Sequence, residues 1–422
     1  MNDLFRIILS QQRRIVTNID PTKWTIGYCT NVHAGTDMKS IQQNLERFAV
    51  PARIEAGMDE IGVGLWLPAT AAAQLAGQAS DFAAFLGKLN LRPYTINGFP
   101  YDNFHQNVVK HAVYEPTWED VSRLEYTQQL AEILAAILPP SDGGDGDAEA
   151  IGSISTLPIG WPTTGADGIA ADPAHRWAAA GKQFRQLANY LKDLESRTGR
   201  RIVVAIEPEP GCLLDTATDI VAFFAKELPE ADHRRYLTVC HDVCHSAVMM
   251  EGQADVIAQY ADAGIMVGKV QVSSAVVADW QSMAIGRRRE AIEQLKHFAE
   301  DRYLHQTMRL SATGQTTLTE DLPELIAKIA KDGDPVWGDD RWVVHFHVPI
   351  FLERFGHLTT THADVLDCLR ALVSNDQVQF SGHLEIETYA WSVLPEPMRK
   401  RGLAEDIASE LLWLRRSIVE SM

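Results

Sequence analysis

Short runs rich in β-branched and aromatic residues alternate along the chain with longer runs whose apolar residues recur every three or four positions. That alternation predicts parallel βαβ units. Strands are expected at Trp24–Asn31, Glu60–Leu67, Leu91–Gly98, Gly152–Leu157, Arg201–Glu207, Tyr236–Asp242, Ile265–Ser273 and Gln379–Tyr389. Helices are expected between most of them, at Met38–Phe48, Ala71–Leu89, Trp118–Leu138, His175–Thr198, Ala217–Leu228, Ala254–Ala263 and His362–Ser374. A ninth apolar run, Trp342–Phe351 (WVVHFHVPIF), exceeds the eight strands of a closed barrel. It is assigned to a long insertion after the seventh strand, about residues 276–361, a position where insertions tend to be functional. Pro139–Glu149 is rich in Gly and Asp and reads as a surface loop; it lacks an EF-hand register, so calcium is not expected there. The predicted fold is a (β/α)8 TIM barrel over residues 24–422, preceded by a helical extension over 1–23 and interrupted at about 139–150 and 276–361. No internal repeat or interdomain linker is visible.

Composition narrows the class. A chain of 422 residues, 46% hydrophobic and 22% charged, buries a large core without staples. Its net charge of −18 argues against nucleic acid as a partner, because phosphate contacts need clustered Lys and Arg. Arg287–Arg289 and Arg399–Arg401 are short and read as solvated helix ends. The five cysteines are odd in number and scattered, which argues against a disulfide framework. The first sixteen residues read as a short amphipathic helix rather than a signal peptide, and no run approaches a membrane span. A cytoplasmic protein is expected.

Strand parity locates the chemistry. Alternate residues of a barrel strand face the axis or the helices. In Arg201–Glu207 the large residues Ile202, Val204 and Ile206 share one parity, so Glu207 points inward at the C-terminal rim, where barrel active sites lie. The same logic turns Thr238, Cys240 and Asp242 inward, and likewise Lys269, Gln271 and Ser273. It also turns His383, Glu385 and Glu387 inward. Inward acids at the ends of strands five, six and eight converge, and a divalent cation is the simplest way to satisfy Glu207, Asp242 and Glu387 together. His245, three residues after Asp242, is expected over the barrel mouth as a ligand or substrate contact. Cys240 and Cys244 suggest a zinc knuckle, but Cys240 has the buried parity and no second Cys pair exists.

Other rim residues are candidates for substrate binding: Asn31 and His33 after the first strand, then Asn97, Tyr101 and His105 in and after the NGFPY turn, whose aromatics suit a sugar ring. His345 and His347 share one parity in the inserted run, and His347 is the candidate to reach the site.

These motifs resemble known proteins. Ala-Ile-Glu207-Pro, Asp242-x-x-His245 and Glu387 resemble the metal site of xylose isomerase-like TIM barrels. The segments YCTNVH, TINGFPY-x-x-FH, GSISTLP, IEPEPG, CHDVCH, YLHQ, HFHVPIF and HLEIETY, spread over nearly the whole chain, resemble the metabolite traffic protein EboE family. The resemblance implies Glu207, Asp242 and Glu387 as carboxylate ligands and His245 as a substrate contact. It also implies a sugar- or cyclitol-like substrate and operon-partner enzymes. Gln271 stands where the related epimerases place a histidine ligand, which favours Mg²⁺ or Mn²⁺ over Zn²⁺ or Fe. The expected activity is a metal-dependent isomerase or epimerase on a sugar, polyol or cyclitol, phosphorylated or not. Glu207 and Glu387 would move the proton, and His245 or Lys269 would neutralise the oxyanion. The rivals are an iron-dependent oxidase that adds His33, His245 and His347 as ligands, and a non-catalytic metabolite carrier.

Overall fold

A computed structural model describes residues 20–139, 151–163, 172–331, 340–399 and 401–422. The expected N-terminal helix and the Gly/Asp-rich loop at 140–149 lie outside them. Eight parallel strands close a barrel: β1 Thr25–Cys29, β2 Ile61–Trp66, β3 Leu91–Asn97, β4 Ile151–Thr156, β5 Arg201–Ile206, β6 Leu237–Asp242, β7 Val267–Val272 and β14 His383–Ile386, in the order β1-β14-β7-β6-β5-β4-β3-β2. Each coincides with an expected strand; β4 is shifted by one residue at equal length and the others are shorter by one to seven residues, because pairing stops where the chain turns into the rim loops.

The ladder keeps the inward residues in rows. Ala205 pairs with Thr238, Asp242 with Gln271, and Gln271 with Glu385. The opposite parity packs on the helices: Ile202, Val204 and Ile206 are wholly buried in the main core, each contributing roughly 1.5–3 kcal/mol.

The helices depart from expectation at two punctuated places. The run expected as Ala71–Leu89 is two helices, Ala69–Leu75 and Ala79–Lys88, separated at Gly77, which adopts a left-handed φ of 78°. The run expected as Met38–Phe48 is longer. It passes from Met38–Asn44 through wider turns at Leu45–Ala49 into Val50–Glu55. Pro51 offers no N–H to that helix, and the widened turns accommodate it. A C-terminal helix, Leu403–Ser421, lies against β1 and Val50–Glu55.

Residues between β7 and β14 form a second, antiparallel sheet. Its strands are β8 Val276–Asp279, β9 Thr307–Leu310, β10 Thr316–Thr319, β11 Arg341–Val344, β12 Arg354–Phe355 and β13 Leu358–Thr360, ordered β10-β9-β11-β8-β13-β12. The inserted run thus supplies a strand only as far as Val344. The next residues, His345 to Pro349, leave the ladder, and Val348 N–H bonds Ser274 O at 3.0 Å. This excursion carries two histidines to the barrel mouth. No helix among the described residues is long and apolar enough to cross a membrane, and all five cysteines are buried and free.

An ion pair occupies the barrel interior. Lys269 Nζ lies 2.5 Å from Glu385 Oε2, both side chains fully buried, and 3.3 Å from Ser155 Oγ. Glu385 Oε1 has no hydrogen-bond partner. Gly64 makes the room: a Cβ there would sit 1.2 Å from Glu385 Oε1. Lys269→Met should therefore strand a buried carboxylate and lower stability by roughly 3–5 kcal/mol. The double variant Lys269→Met/Glu385→Leu should recover most of that loss in chemical denaturation; a near-neutral single variant would contradict the reading.

Candidate metal centre

Three carboxylates meet at the C-terminal mouth. Glu207 follows β5, Asp242 ends β6 and Glu387 follows β14. One oxygen of each lies within 4.8 Å of the others, and all three residues are buried. Ligand bonds of ~2.0–2.6 Å place two ligands of one ion no more than about 5 Å apart, so the trio can share a cation.

Each acid is held differently. Asp242 Oδ1 accepts from the His245 backbone N–H and the Ser273 hydroxyl, both at 2.8 Å, so it caps the short helix Val243–Val248. Glu387 Oε1 accepts from the amides of Asn31 at 2.6 Å and Asn97 at 2.8 Å. Glu207 Oε2 and Asp242 Oδ2 are buried with no partner. Buried carboxylate oxygens are seldom left unpaired, so the two atoms mark where a ligand fits.

Electrostatics agree with geometry. Burial pushes the Glu207 carboxyl well above its usual range, and the charges of Glu387 and Asp242 push it further. Glu387 is raised by burial, then by Asp242 and Glu385. For Asp242 burial works upward, but His245, His347 and its two hydrogen bonds outweigh it and hold the group low. Without a cation, like charges in this mouth cannot all ionise.

An imidazole from the insertion comes up beside Asp242. His347 donates Nδ1–H to the Glu387 carbonyl at 2.7 Å, which leaves Nε2 bare. That Nε2 is buried, has no partner, and lies 3.9 Å from Asp242 Oδ2. Burial lowers the His347 pKa to about 4, so the ring is a neutral donor. The donor set of three carboxylates and one imidazole fits a divalent ion of the Mg²⁺, Mn²⁺, Fe²⁺ or Zn²⁺ type.

The remaining expected site residues divide. Asn31 and Asn97 line the cavity above the trio but spend their amides on Glu387, so they orient a carboxylate. His245 lines the cavity too, with Nδ1 on Pro208 O at 2.9 Å. Lys269 lies in the barrel interior with Glu385 and away from the cavity lining, so it is not placed to meet an oxyanion. Gln271, the ladder partner of Asp242, is buried with both amide atoms unpartnered and, like Asp242, is not among the lining residues. His33 faces the other way: it bonds Tyr28 Oη at 3.1 Å, stacks on Phe48, and borders a separate small pocket. His105 supports Asn31 through its backbone carbonyl at 2.7 Å, and Tyr101 packs edge-on to Tyr126; neither lines the cavity.

The cavity spans about 540 Å³, including the part open to solvent. Its walls include Phe99, Phe104, Tyr114, Tyr303 and Tyr389, and its floor carries Glu207, Glu387, Glu209 and three histidines, among them His345. Glu209 and Gln306 had no expected role. Both sit inside motifs already noted, IEPEPG and YLHQ, and the acidic spacing Glu207-Pro-Glu209 was the available signal.

No protein-family model matches the chain. No curated protein matches it in sequence. Solved structures do match. A xylose isomerase-like TIM barrel protein from Mycobacterium smegmatis in complex with magnesium is 11% identical over 96% of this chain and 99% of that chain, with a TM-score of 0.51. An L-ribulose 3-epimerase is 11% identical over 94% and 95%, at 0.48. A xylose isomerase domain protein from Alicyclobacillus acidocaldarius is 12% identical over 94% and 99%, at 0.45. At these identities the likeness shows the fold: a closed parallel barrel of the xylose isomerase-like type.

Raised carboxyls make the ion-free protein pH-sensitive. Above the ordinary carboxyl value of 4.5, the folded state holds protons on Glu207 and Glu387 that the unfolded chain releases, so stability falls as pH rises toward the folded pKa values. Glu251 and Glu410, each pushed up to about 7 by burial, act in the same direction. Buried neutral histidines, among them His33, His105, His347 and His383, add stability as pH rises to about 6.5, so with chelator present the thermal midpoint should drop only between about pH 7 and 8, where Mn²⁺ should restore it. A chelated protein that gains stability over that range, or ignores the ion, would contradict this.

Proposed function

We propose that this protein is a metal-dependent isomerase or epimerase that moves a proton at a carbon beside a carbonyl of an uncharged sugar, polyol or cyclitol. The observation that carries the reading is the pair Glu207 and Glu387, two buried carboxyl groups set around one point and lining an aromatic-walled cavity.

Glu207, Asp242, His347 and Glu387 would hold the ion. A divalent ion there supplies Lewis acidity to neighbouring carbonyl and hydroxyl oxygens. The magnesium complex of the Mycobacterium smegmatis neighbour supports a hard divalent ion. Glu207 accepts the proton from the substrate carbon on the carboxylate oxygen that does not hold the ion, and the electron pair passes to the carbonyl oxygen. Glu387, fixed by Asn31 and Asn97, returns a proton to complete the rearrangement. Phe99, Phe104 and Tyr389 offer faces for a ring and exclude water.

Charge favours an unphosphorylated substrate. Lys110 lines the cavity but is already paired with Asp321, while the floor is acidic. The motif resemblance to the EboE family makes a cyclitol- or sugar-processing operon the expected setting.

In D₂O, the Mg²⁺- or Mn²⁺-loaded protein should place deuterium beside the carbonyl of at least one compound in a panel of neutral ketoses and ketocyclitols. Glu207→Gln should slow that exchange by roughly 10²–10⁴-fold. Absence of exchange across the panel would reject the reaction. A marked preference for phosphorylated ketoses would reject the uncharged substrate.

A further inference from the structure

We infer that, given the ion site proposed above, Glu410 of the C-terminal helix Leu403–Ser421 is a positioning residue for that site: it aligns Glu387 with His347 by gripping both of the segments that carry them.

The helix has two working faces. Ile407, Leu411, Leu414 and Ile418 recur at helical spacing, enter the main core and hold the helix on the barrel. Asp406, Glu410 and Trp413 recur at the same spacing on a neighbouring face, and each engages a rim segment. Asp406 and Glu410 are buried, which is costly for an acid unless it is hydrogen-bonded. Both are. Asp406 Oδ2 accepts from Trp391 Nε1–H at 2.9 Å. Glu410 Oε1 accepts twice, from the Thr388 hydroxyl at 2.7 Å and from the Ile350 backbone N–H at 3.1 Å. The Trp413 ring lies 4.9 Å from that of His362, whose Nδ1 faces the Ile350 carbonyl at 2.7 Å. Both main-chain polar groups of Ile350 are thus held, one by the helix and one by a ring packed on it.

These contacts fall beside the ligands. Thr388 follows Glu387, and Ile350 lies three residues past His347. The two segments come from distant parts of the chain, one from the end of β14 and the other from the excursion that leaves β11. They meet at one bond, His347 Nδ1–H to the Glu387 carbonyl at 2.7 Å, and that bond leaves Nε2 on the side of Asp242. Glu410 binds both segments from outside through a single oxygen, so it fixes how they sit together. Between the clamped residues Thr388 and Trp391 stands Tyr389, which lines the cavity with its ring 4.7 Å from that of His347. An aliphatic residue at 410 would strand the buried Ile350 N–H and release Thr388. A carboxamide oxygen can accept the same two bonds as a carboxyl oxygen, so position 410 supplies geometry and not charge.

Mn²⁺ binding to the full chain, read by electron paramagnetic resonance, tests this role. Glu410→Leu should weaken Mn²⁺ by roughly 10–100-fold, the loss usual when a ligand's outer support is removed. Spin-echo modulation from a directly bound nitrogen, present in wild type and absent in His347→Ala, should be lost in Glu410→Leu. Glu410→Gln, which keeps an oxygen acceptor, should retain both the affinity and the nitrogen signal. Leu411→Ala, on the core face of the same helix, should lower stability and leave both readouts unchanged, which separates positioning from general loosening. A folded Glu410→Leu protein with wild-type affinity and nitrogen signal would overturn the inference, as would a Glu410→Gln protein equally impaired. Should Glu410→Leu fail to fold, Thr388→Val removes one arm alone and should still weaken Mn²⁺ by about three-fold or more; no change there overturns the inference too. Wild type that binds no Mn²⁺ rejects the ion site and this role with it, and is told apart because it needs no variant.

Discussion

Crowding of buried negative charge at one end of the barrel is the constraint around which this molecule is arranged. Four carboxylates share a mouth in which the neighbouring lysines are already paired. Such groups are stable together only if they stay protonated or if cations join them. The unpartnered atoms of Glu207, Asp242 and His347 point to the second solution.

The rest of the barrel positions these groups. The pairing of β5, β6, β7 and β14 fixes how high each acid sits. Gly64 on the facing wall leaves space for the Lys269–Glu385 pair. That pair cancels its own charge and fills the axis with polar atoms where most barrels use branched apolar ones. Above it, Asn31, Asn97 and Ser273 each commit a donor to an acid. Residues that looked like substrate contacts in isolation thus serve to hold carboxylates still.

Strand parity made Glu207, Asp242 and Glu387 legible in the sequence, because a period of two reports directly which face a side chain takes. The barrel was legible for the same reason, with helix ends blurred at Gly77 and Pro51. The inserted sheet was much less so: its short strands pair antiparallel over long separations, which no local period encodes. Hence Gln271, at the strand-seven position, looked like the fourth ligand, whereas the bare nitrogen beside Asp242 belongs to His347, far along the insertion. His33 and His105 failed as site residues because side-chain direction after a strand end depends on the turn. Here Cys29 leads into a tight turn at Thr30–Val32 that sends His33 toward Phe48.

Crystals grown with Mn²⁺ and measured for anomalous scattering decide whether the proposed site of Glu207, Asp242, His347 and Glu387 binds one divalent ion. A shared ion gives a strong peak bonded at ~2.0–2.4 Å to an oxygen of each carboxylate and to His347 Nε2. A mouth with no peak, or an ion bound with His347 turned away and Gln271 in its place, would contradict it.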